Sequence, residues 1–239
     1  MNVEAGLERC LSFIQCQLQP PQRPLPAYRN GAERRAITIS RQAGSGGHAV
    51  AEKLLELLPA HTPEGTCPWT VFDRNLVEKV LEDHHLPKRL ARFMPEDRIS
   101  EISDTMDELF GLHPPSWTLV HKTSETILHL AELGNVILIG RGAAVITRRL
   151  DYVFHVRLVG SLERRVQHIL EVEHISHKAA QELVLRGDQG RRRYLRKYFN
   201  QDIDDPLLYH LIINTDQVPY EEAARMIAYA IASKPVETQ

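Results

Sequence analysis

The chain has 239 residues, of which 43% are hydrophobic and 25% are charged, so it is neither disordered throughout nor fibrous. No apolar run approaches the about 20 residues that a membrane-spanning helix needs. The 29 basic and 31 acidic residues leave a net charge of −2, which excludes a general electrostatic attraction for nucleic acid. Any anion site must therefore come from a local cluster.

Cysteine and histidine usage indicates a reducing compartment and no dedicated metal site. The three cysteines, Cys10, Cys16 and Cys67, are too few for a disulfide scaffold or for a paired CxxC zinc motif. His174 and His177 have metal-like spacing, but no second ligand set accompanies them. We therefore expect a cytoplasmic protein without a membrane partner.

The first 30 residues predict an amphipathic helix and a proline-rich linker. Apolar residues recur at three- and four-residue steps over 1–20, and four prolines at 20, 21, 24 and 26 then end the helix. A helix packed on the main domain is the favoured interpretation. A homodimer through this helix is the alternative.

From Ala36 onward, short apolar runs alternate with longer helical patterns. This alternation predicts a five-stranded parallel sheet with helices on both faces. The helix-rich stretch 75–133 is longer than one crossover requires, and we interpret it as an insertion over one sheet edge. The strands are expected at 36–40, 69–72, 135–139, 152–159 and 208–213, and the helices at 46–58, 75–83, 98–111, 116–133, 143–149, 161–172, 176–187, 189–199 and 219–233.

A glycine loop follows the first predicted strand directly. Residues 41–48 read RQAGSGGH and lead into a helix. Strand, glycine loop and helix in this order bring backbone N–H groups onto a phosphate. The GxxxxGK[ST] motif fails at all three of its defined positions, which hold Arg41, Gly47 and His48 here.

A dinucleotide motif competes for the same loop. The GxGxxA pattern is matched by Gly44, Gly46 and Ala49, and Asp73 ends the second predicted strand. The loop alone therefore leaves two classes of nucleotide-binding protein open.

Three further segments narrow the choice. They are VFD at 71–73, IGRGA at 139–143 and RGDQGRRRY at 186–194. With Ser40 and Arg41 before the loop, their order over about 36–233 resembles the cytidylate-kinase-like family, a branch of the nucleoside monophosphate kinases. The resemblance implies a three-layer P-loop kinase fold within 31–239. It also implies a helical acceptor lobe at about 75–133, an arginine-rich lid at about 176–200, and ATP and Mg²⁺ as donor and cofactor.

The implied activity is ATP-dependent phosphoryl transfer to a nucleoside monophosphate, most simply CMP or dCMP, or to another small phosphorylated acceptor. This chain departs from true cytidylate kinases because Gly47 replaces the loop lysine and His48 replaces the hydroxyl that holds Mg²⁺. The acidic residue expected after Arg141 is also missing. A catalytically weak or inactive nucleotide-binding regulatory protein is therefore the alternative. An NAD(P)-dependent oxidoreductase ranks third, because it gives the arginines no role.

Phosphoryl transfer needs positioning and positive charge around the transferring group, and arginines can supply both. Arg41 stands beside the loop and could replace the charge of the missing lysine. In the lid, Arg191 is the first choice because it completes an Asp-x-x-Arg motif with Asp188, and Arg186 and Arg192 come next. A solvated basic face is the plainer interpretation of this run, and no aromatic RNA-binding signature favours nucleic acid.

The remaining candidates bind the two nucleotides. The acceptor would contact Asp73, Asp188 and above all Arg141, whose charge between two glycines at a strand end suits a phosphate. Asp73 could instead cap the following helix, and Ser45 could be a small turn residue without a ligand. The donor phosphates and base would lie against Gly44, Ser45, Gly46, Gly47, His48, Asn214 and Thr215.

Overall fold

The computed structural model describes residues 3–18, 35–58, 67–73, 106, 118–140 and 142–233. The proline-rich linker, the helix predicted over 75–83 and most of the one over 98–111 lie outside these residues. So does Arg141.

The described residues form five strands and seven α-helices, which confirms all five predicted strands. The strands are β1 (Ala36–Arg41), β2 (Thr70–Phe72), β3 (Val136–Ile139), β4 (Val153–Val159) and β5 (Leu211–Asn214). The helices are α1 (Val3–Leu18), α2 (Gly47–Leu57), α3 (Thr118–Leu133), α4 (Ala143–Ile146), α5 (Leu162–Glu173), α6 (His177–Phe199) and α7 (Tyr220–Ser233), with a 3-10 turn at Pro206–Leu208. None of these helices is both long enough and apolar enough to cross a membrane.

The sheet is parallel throughout and has the strand order β2-β3-β1-β4-β5. The carboxyl ends of its strands therefore share one edge, and β1 lies at the centre between β3 and β4. The usual dinucleotide-binding sheet instead places β2 beside β1. The observed strand order therefore disagrees with the dinucleotide-binding fold that the NAD(P)-dependent interpretation of the glycine loop requires.

Helices cover both faces of the sheet, as the alternating pattern predicts. One core contains Ile37 and Ile39 of β1 with the apolar faces of α2 and α7. The opposite core contains Ala36 and residues of α1, α3 and α4. Both faces of β1 are thus buried, and its carboxyl end is the part left to present a site.

Helix α1 packs on the domain, in agreement with the favoured interpretation. Phe13 is fully buried and meets Phe72 edge to face at 5.8 Å between ring centroids. A disulfide joins Cys16 to Cys67, 51 positions away, and so ties α1 to the segment that enters β2. The cysteine count does not predict this pairing, because only the fold brings the two positions together. Burial raises the pKa of the remaining thiol, Cys10, to about 12.

The predicted break between helices 176–187 and 189–199 is wrong, because α6 is one helix of 23 residues. Each glycine inside a helix costs about 1 kcal/mol, which does not by itself end the helix. Gly187 has a packing reason: a Cβ there would lie 3.3 Å from the Cβ of Ala43 in the glycine loop. The helix is capped by Ser176, whose side chain accepts from the Ala179 N–H, and it ends at Asn200 in a left-handed conformation.

Candidate functional site

The glycine loop connects β1 to α2 at the carboxyl edge of the sheet. Gly44 and Gly46 have φ values of +81° and +78°, which side chains rarely adopt. A Cβ at Gly44 would lie 2.4 Å from the Arg165 carbonyl oxygen, and one at Gly46 would lie 2.3 Å from the Tyr220 ring. Gly46 caps α2 without a side-chain hydrogen bond, so the first N–H groups of α2 can meet an anion.

Ser45 is a turn residue in this loop. Its hydroxyl lies 2.9 Å from the Gln42 carbonyl oxygen and 3.3 Å from that of Leu158, and the residue is buried. The hydroxyl is therefore engaged within the loop, which favours the turn interpretation over a side-chain contact with phosphate or metal.

The Arg41 side chain passes through the space next to Gly47, the position where true cytidylate kinases carry lysine. A Cβ at Gly47 would lie 3.1 Å from Arg41 Cγ. Further out, a Cβ at Gly140 would lie 2.1 Å from Arg41 Nη1, so any side chain there would displace the guanidinium. The two glycines together leave room for Arg41 beside the loop.

A cavity of about 350 Å³ opens where β1 and β3 end, between α4 and α6. Three of the four predicted catalytic arginines line it, namely Arg41, Arg186 and Arg191. Arg192 is not among the described residues of its wall. The structure thus gathers arginines from β1 and from α6 around one cavity at the sheet edge.

Asp188 connects α6 to the glycine loop. Its Oδ1 accepts the Ala43 N–H at 2.7 Å, and its Oδ2 accepts from Arg165 Nη1 at 2.7 Å. Arg191 Nη1 lies 3.6 Å from Oδ1, so the Asp-x-x-Arg pair does come together. Both carboxylate oxygens of Asp188 are therefore occupied inside the protein. The predicted contact between Asp188 and the acceptor stays a prediction.

Arg165 is a residue that sequence reasoning missed. It is buried, and its Nε donates to the Gly160 carbonyl oxygen while Nη1 donates to that of Ala43 as well as to Asp188. The sequence gives no signal for this role, because Arg165 follows two other charged residues, Glu163 and Arg164, at the start of α5.

A second ion-pair network involves Arg157 of β4, which is only 4% exposed. Its Nη1 donates to Ser40 Oγ at 2.8 Å, and its Nη2 donates to Asp204 Oδ1 at 2.6 Å. Arg192 Nε donates to the other oxygen of Asp204 at 2.9 Å, so Arg192 points to this network. A charge inside the apolar strand VFHVRLV was the available signal, since a buried charge needs a partner.

The same network sets the ionisation of Asp204. Burial acts to raise its pKa, but the hydrogen bonds from Arg192 and Arg157 outweigh burial and lower the pKa below its ordinary value of 3.8. Tyr209 completes the network: its hydroxyl lies 3.2 Å from Ser40 Oγ and donates to the Ile203 carbonyl oxygen. Asp204 is thus held as a carboxylate between two guanidinium groups.

Asp73 and His48 lie together across the sheet edge, with 3.1 Å between Asp73 Oδ2 and His48 Nε2. Among the described residues, no group of three or more His, Cys, Asp or Glu could hold a metal ion. Mg²⁺ prefers oxygen ligands and is commonly bound through one or two carboxylates and the substrate's phosphates. Asp73 fits that limited role, while the His48 nitrogen does not replace a hydroxyl.

The predicted donor-base residues follow β5 in a turn. Thr215 Oγ1 donates to the Val159 carbonyl oxygen, and Asn214 Oδ1 accepts the Asp216 N–H. The hydrogen bond from Ser161 lowers the pKa of Asp216 in the same turn. The turn lies near the glycine loop, since the neighbouring Gly160 N–H donates to Gln42 Oε1 at 3.0 Å. A contact of Asn214 and Thr215 with a base stays a prediction.

Comparison with known proteins places this site in a family. Residues 36–217 match the cytidylate kinase-like family. The chain belongs to that family. No curated protein matches the sequence. The family match and the parallel sheet confirm the predicted P-loop kinase-type fold, whereas the arginine-rich lid stays a prediction.

The fold is shared with a solved structure. An uncharacterized protein from Eubacterium ventriosum has 22% identity and a TM-score of 0.65, over 84% of this chain and 99% of that one. A shikimate kinase from Bacteroides thetaiotaomicron has 10% identity and a TM-score of 0.46, over 82% and 98%. Family membership supports a nucleotide kinase-type function, and kinases of this type generally use ATP and Mg²⁺.

Proposed function

We propose that this protein transfers the γ-phosphoryl group of ATP to a small phosphorylated acceptor, most simply CMP or dCMP. The observation that carries the proposal is the convergence of Arg41, Arg186 and Arg191 on one cavity beside the glycine loop. A phosphoryl group in transfer spreads negative charge over its oxygens, and guanidinium groups around it lower the barrier. A site for a single uncharged ligand would not need three arginines.

The chain's own residues divide the work. The donor phosphates bind N–H groups of the first turn of α2 and of the glycine loop. The N–H groups of Gln42, Ala43 and Ser45 do not take part, because they donate within the protein. Arg41 supplies positive charge where other kinases use the loop lysine, and Arg191 neutralises charge from the opposite wall. Arg141 remains the proposed ligand of the acceptor phosphate. Mg²⁺, when bound with the nucleotide near Asp73, would neutralise further phosphate charge.

A regulatory protein that binds nucleotide with little or no transfer is the second candidate. It is favoured by Gly47 and by His48, whose imidazole pairs with Asp73 where a kinase would present a hydroxyl to Mg²⁺. Arg186 and Arg191 argue for the enzyme, because a module that only binds ATP does not need further cations across the cavity from Arg41.

A coupled assay of ADP release with Mg-ATP across all ribo- and deoxynucleoside monophosphates tests the proposal. We expect turnover with at least one acceptor and the highest kcat/KM with CMP or dCMP. The matched control is the same protein with ATP alone, which reports any hydrolysis without acceptor. ATP binding measured by calorimetry without turnover for any acceptor would favour the regulatory candidate.

Two further expectations stay predictions. A cytoplasmic location fits the ordinary composition, but a disulfide such as Cys16–Cys67 is rare in reducing compartments. A homodimer through α1 has to use the part of that helix not already packed on the domain, where Leu11 is exposed.

A further inference from the structure

Helix α6 is tied to the rest of the protein at two positions about one turn apart. The loop anchor consists of Asp188, the Ala43 N–H and Arg165. The strand anchor consists of Arg192, Asp204 and Arg157. Since an α-helix has about 3.6 residues per turn, residues 188 and 192 lie on nearly the same face.

The loop anchor is buried. The side chains of Arg165 and Asp188 are 8% and 12% exposed, and their ion pair measures 2.7 Å. Gly187 adds close packing here, because it lets α6 approach Ala43. Moving α5 and α6 together away from the glycine loop would remove the contacts that both side chains make with Ala43. Moving α6 alone would separate the buried Arg165 from Asp188. That separation is strongly unfavourable, because a buried charge needs its partner.

The strand anchor has one buried and one exposed arm. Arg157 is 4% exposed and binds Asp204 at 2.6 Å, whereas Arg192 is 56% exposed and binds the same carboxylate at 2.9 Å. Of the three residues of the strand anchor, Arg192 is the member that belongs to α6. It can therefore be removed without leaving a buried charge unpaired.

Arg191 lies between the two anchors and lines the cavity. We propose that residues 188–192 of α6 form a fixed wall of this cavity rather than a lid that closes on the nucleotide. In this arrangement Arg165 and Asp204 are positioning residues that hold Arg191 toward the transferring phosphate. The kinetic part of this inference rests on the proposed phosphoryl transfer, whereas the structural part does not.

Amide hydrogen exchange tests the fixed wall without any activity measurement. In the wild-type protein we expect amides of residues 188–195 to be protected already, with about twofold change or less when the non-hydrolysable analogue AMP-PNP and Mg²⁺ are added. A lid whose residues open locally before the nucleotide binds would instead gain about tenfold or more in protection on binding. That gain would overturn the proposal.

Substitution of the exposed arm tests positioning. Arg192→Gln removes the α6 side of the strand anchor and leaves the buried Arg157–Asp204 pair intact. We expect exchange at residues 189–195 to rise about tenfold and kcat to fall about 10- to 100-fold, because small displacements of a positioned group have effects of that size. KM for ATP should stay within about twofold, since the glycine loop is unchanged. The matched control is Arg193→Gln, an exposed arginine on the same helix, which should alter neither quantity.

A double-mutant cycle separates positioning from direct contact. If Arg192 acts through Asp204, then Asp204→Asn lowers kcat at least as much as Arg192→Gln, because it also removes the carboxylate partner of the buried Arg157. Adding Arg192→Gln to Asp204→Asn should then cause no further loss. Additive losses would mean that Arg192 contacts the nucleotide itself and would overturn its positioning role. If the wild-type protein transfers no phosphate, the proposed function fails, and the exchange experiment still decides whether the anchors fix α6.

Discussion

The glycine loop and helix α6 meet at the same edge of the sheet, but they are built by different means. The loop offers backbone N–H groups, and its shape depends on the absence of side chains at Gly44 and Gly46. Helix α6 offers guanidinium groups, and its position depends on the carboxylates of Asp188 and Asp204. Added atoms should therefore damage the loop, whereas lost charge or low pH should damage the α6 side.

Arg41 stands beside the glycine loop and lines the cavity together with arginines of α6. Its substitution should therefore have the largest effect on activity. Arg41→Ala is expected to lower kcat/KM by about 10³-fold, because one arginine on a transferring phosphate contributes at least that much. It should also weaken ATP binding. Kinetics and calorimetry measure the two losses separately.

Arg41→Lys is the matched control for this change. It keeps the positive charge but loses the planar guanidinium, so we expect partial recovery of kcat/KM. An unchanged ATP dissociation constant in Arg41→Ala would remove Arg41 from the donor site, and the loop would then bind phosphate through its backbone alone.

The disulfide provides a test outside both regions. Reduction of Cys16–Cys67, or Cys16→Ser, should lower the free energy of unfolding by about 2–4 kcal/mol in the loop-entropy account. Because α1 and Cys67 lie away from the cavity wall, affinity for AMP-PNP should not change. Thermal denaturation and calorimetry with and without reductant measure both. A loss of nucleotide affinity on reduction would show that α1 supports the site.

The effect of one added methyl group on the free energy of unfolding should differ in sign between the glycine loop and α6. Gly44→Ala places a Cβ against the Arg165 carbonyl oxygen at φ +81° and should destabilise the fold by about 1–3 kcal/mol. Gly190→Ala on α6 is the control, because a Cβ there meets nothing within 4 Å, and alanine should add about 1 kcal/mol of helix stability. Urea denaturation measures both, and equal effects would contradict the contrast between the two regions.

Much of the fold could be predicted from sequence, because its signals are local. All five strands and the glycine loop follow from runs of adjacent residues, as does helix α1. The continuity of α6 could not be predicted, since Gly187 looks like a helix breaker until Ala43 is seen against it. The partner of Arg192 was also beyond sequence reasoning, because Asp204 is joined to it through a turn whose shape only the fold determines.

The residues of the candidate site likewise fall into those with a local sequence signal and those that depend on contacts between distant segments. Arg41, Arg186 and Arg191 were found from motif and resemblance, and the structure brings them to one cavity. Arg165 and Asp204 were missed, because their ion pairs, with Asp188 and Arg157 respectively, join segments that are distant in sequence. Arg157 was the exception that could have been noticed, as a charge in a strand otherwise built for burial.

The smallest expected effect is a pH dependence that only the α6 side should show. The pKa of Asp204 is lowered in the folded protein, so the unfolded chain binds more protons near and below pH 3.8. The stability that its ion pairs contribute is therefore complete above that value and is lost as the pH falls through the lowered folded-state pKa. Urea denaturation from pH 3 to 7 measures the difference in the free energy of unfolding between the wild type and Asp204→Asn. This difference should be constant near neutral pH and should shrink at the acid end. The loss caused by Gly44→Ala should not depend on pH, because it arises from contact between uncharged atoms. A difference for Asp204→Asn that already shrinks between pH 7 and 5 would mean that Asp204 is not held as a carboxylate by its two arginines, and the strand anchor would lose its electrostatic basis.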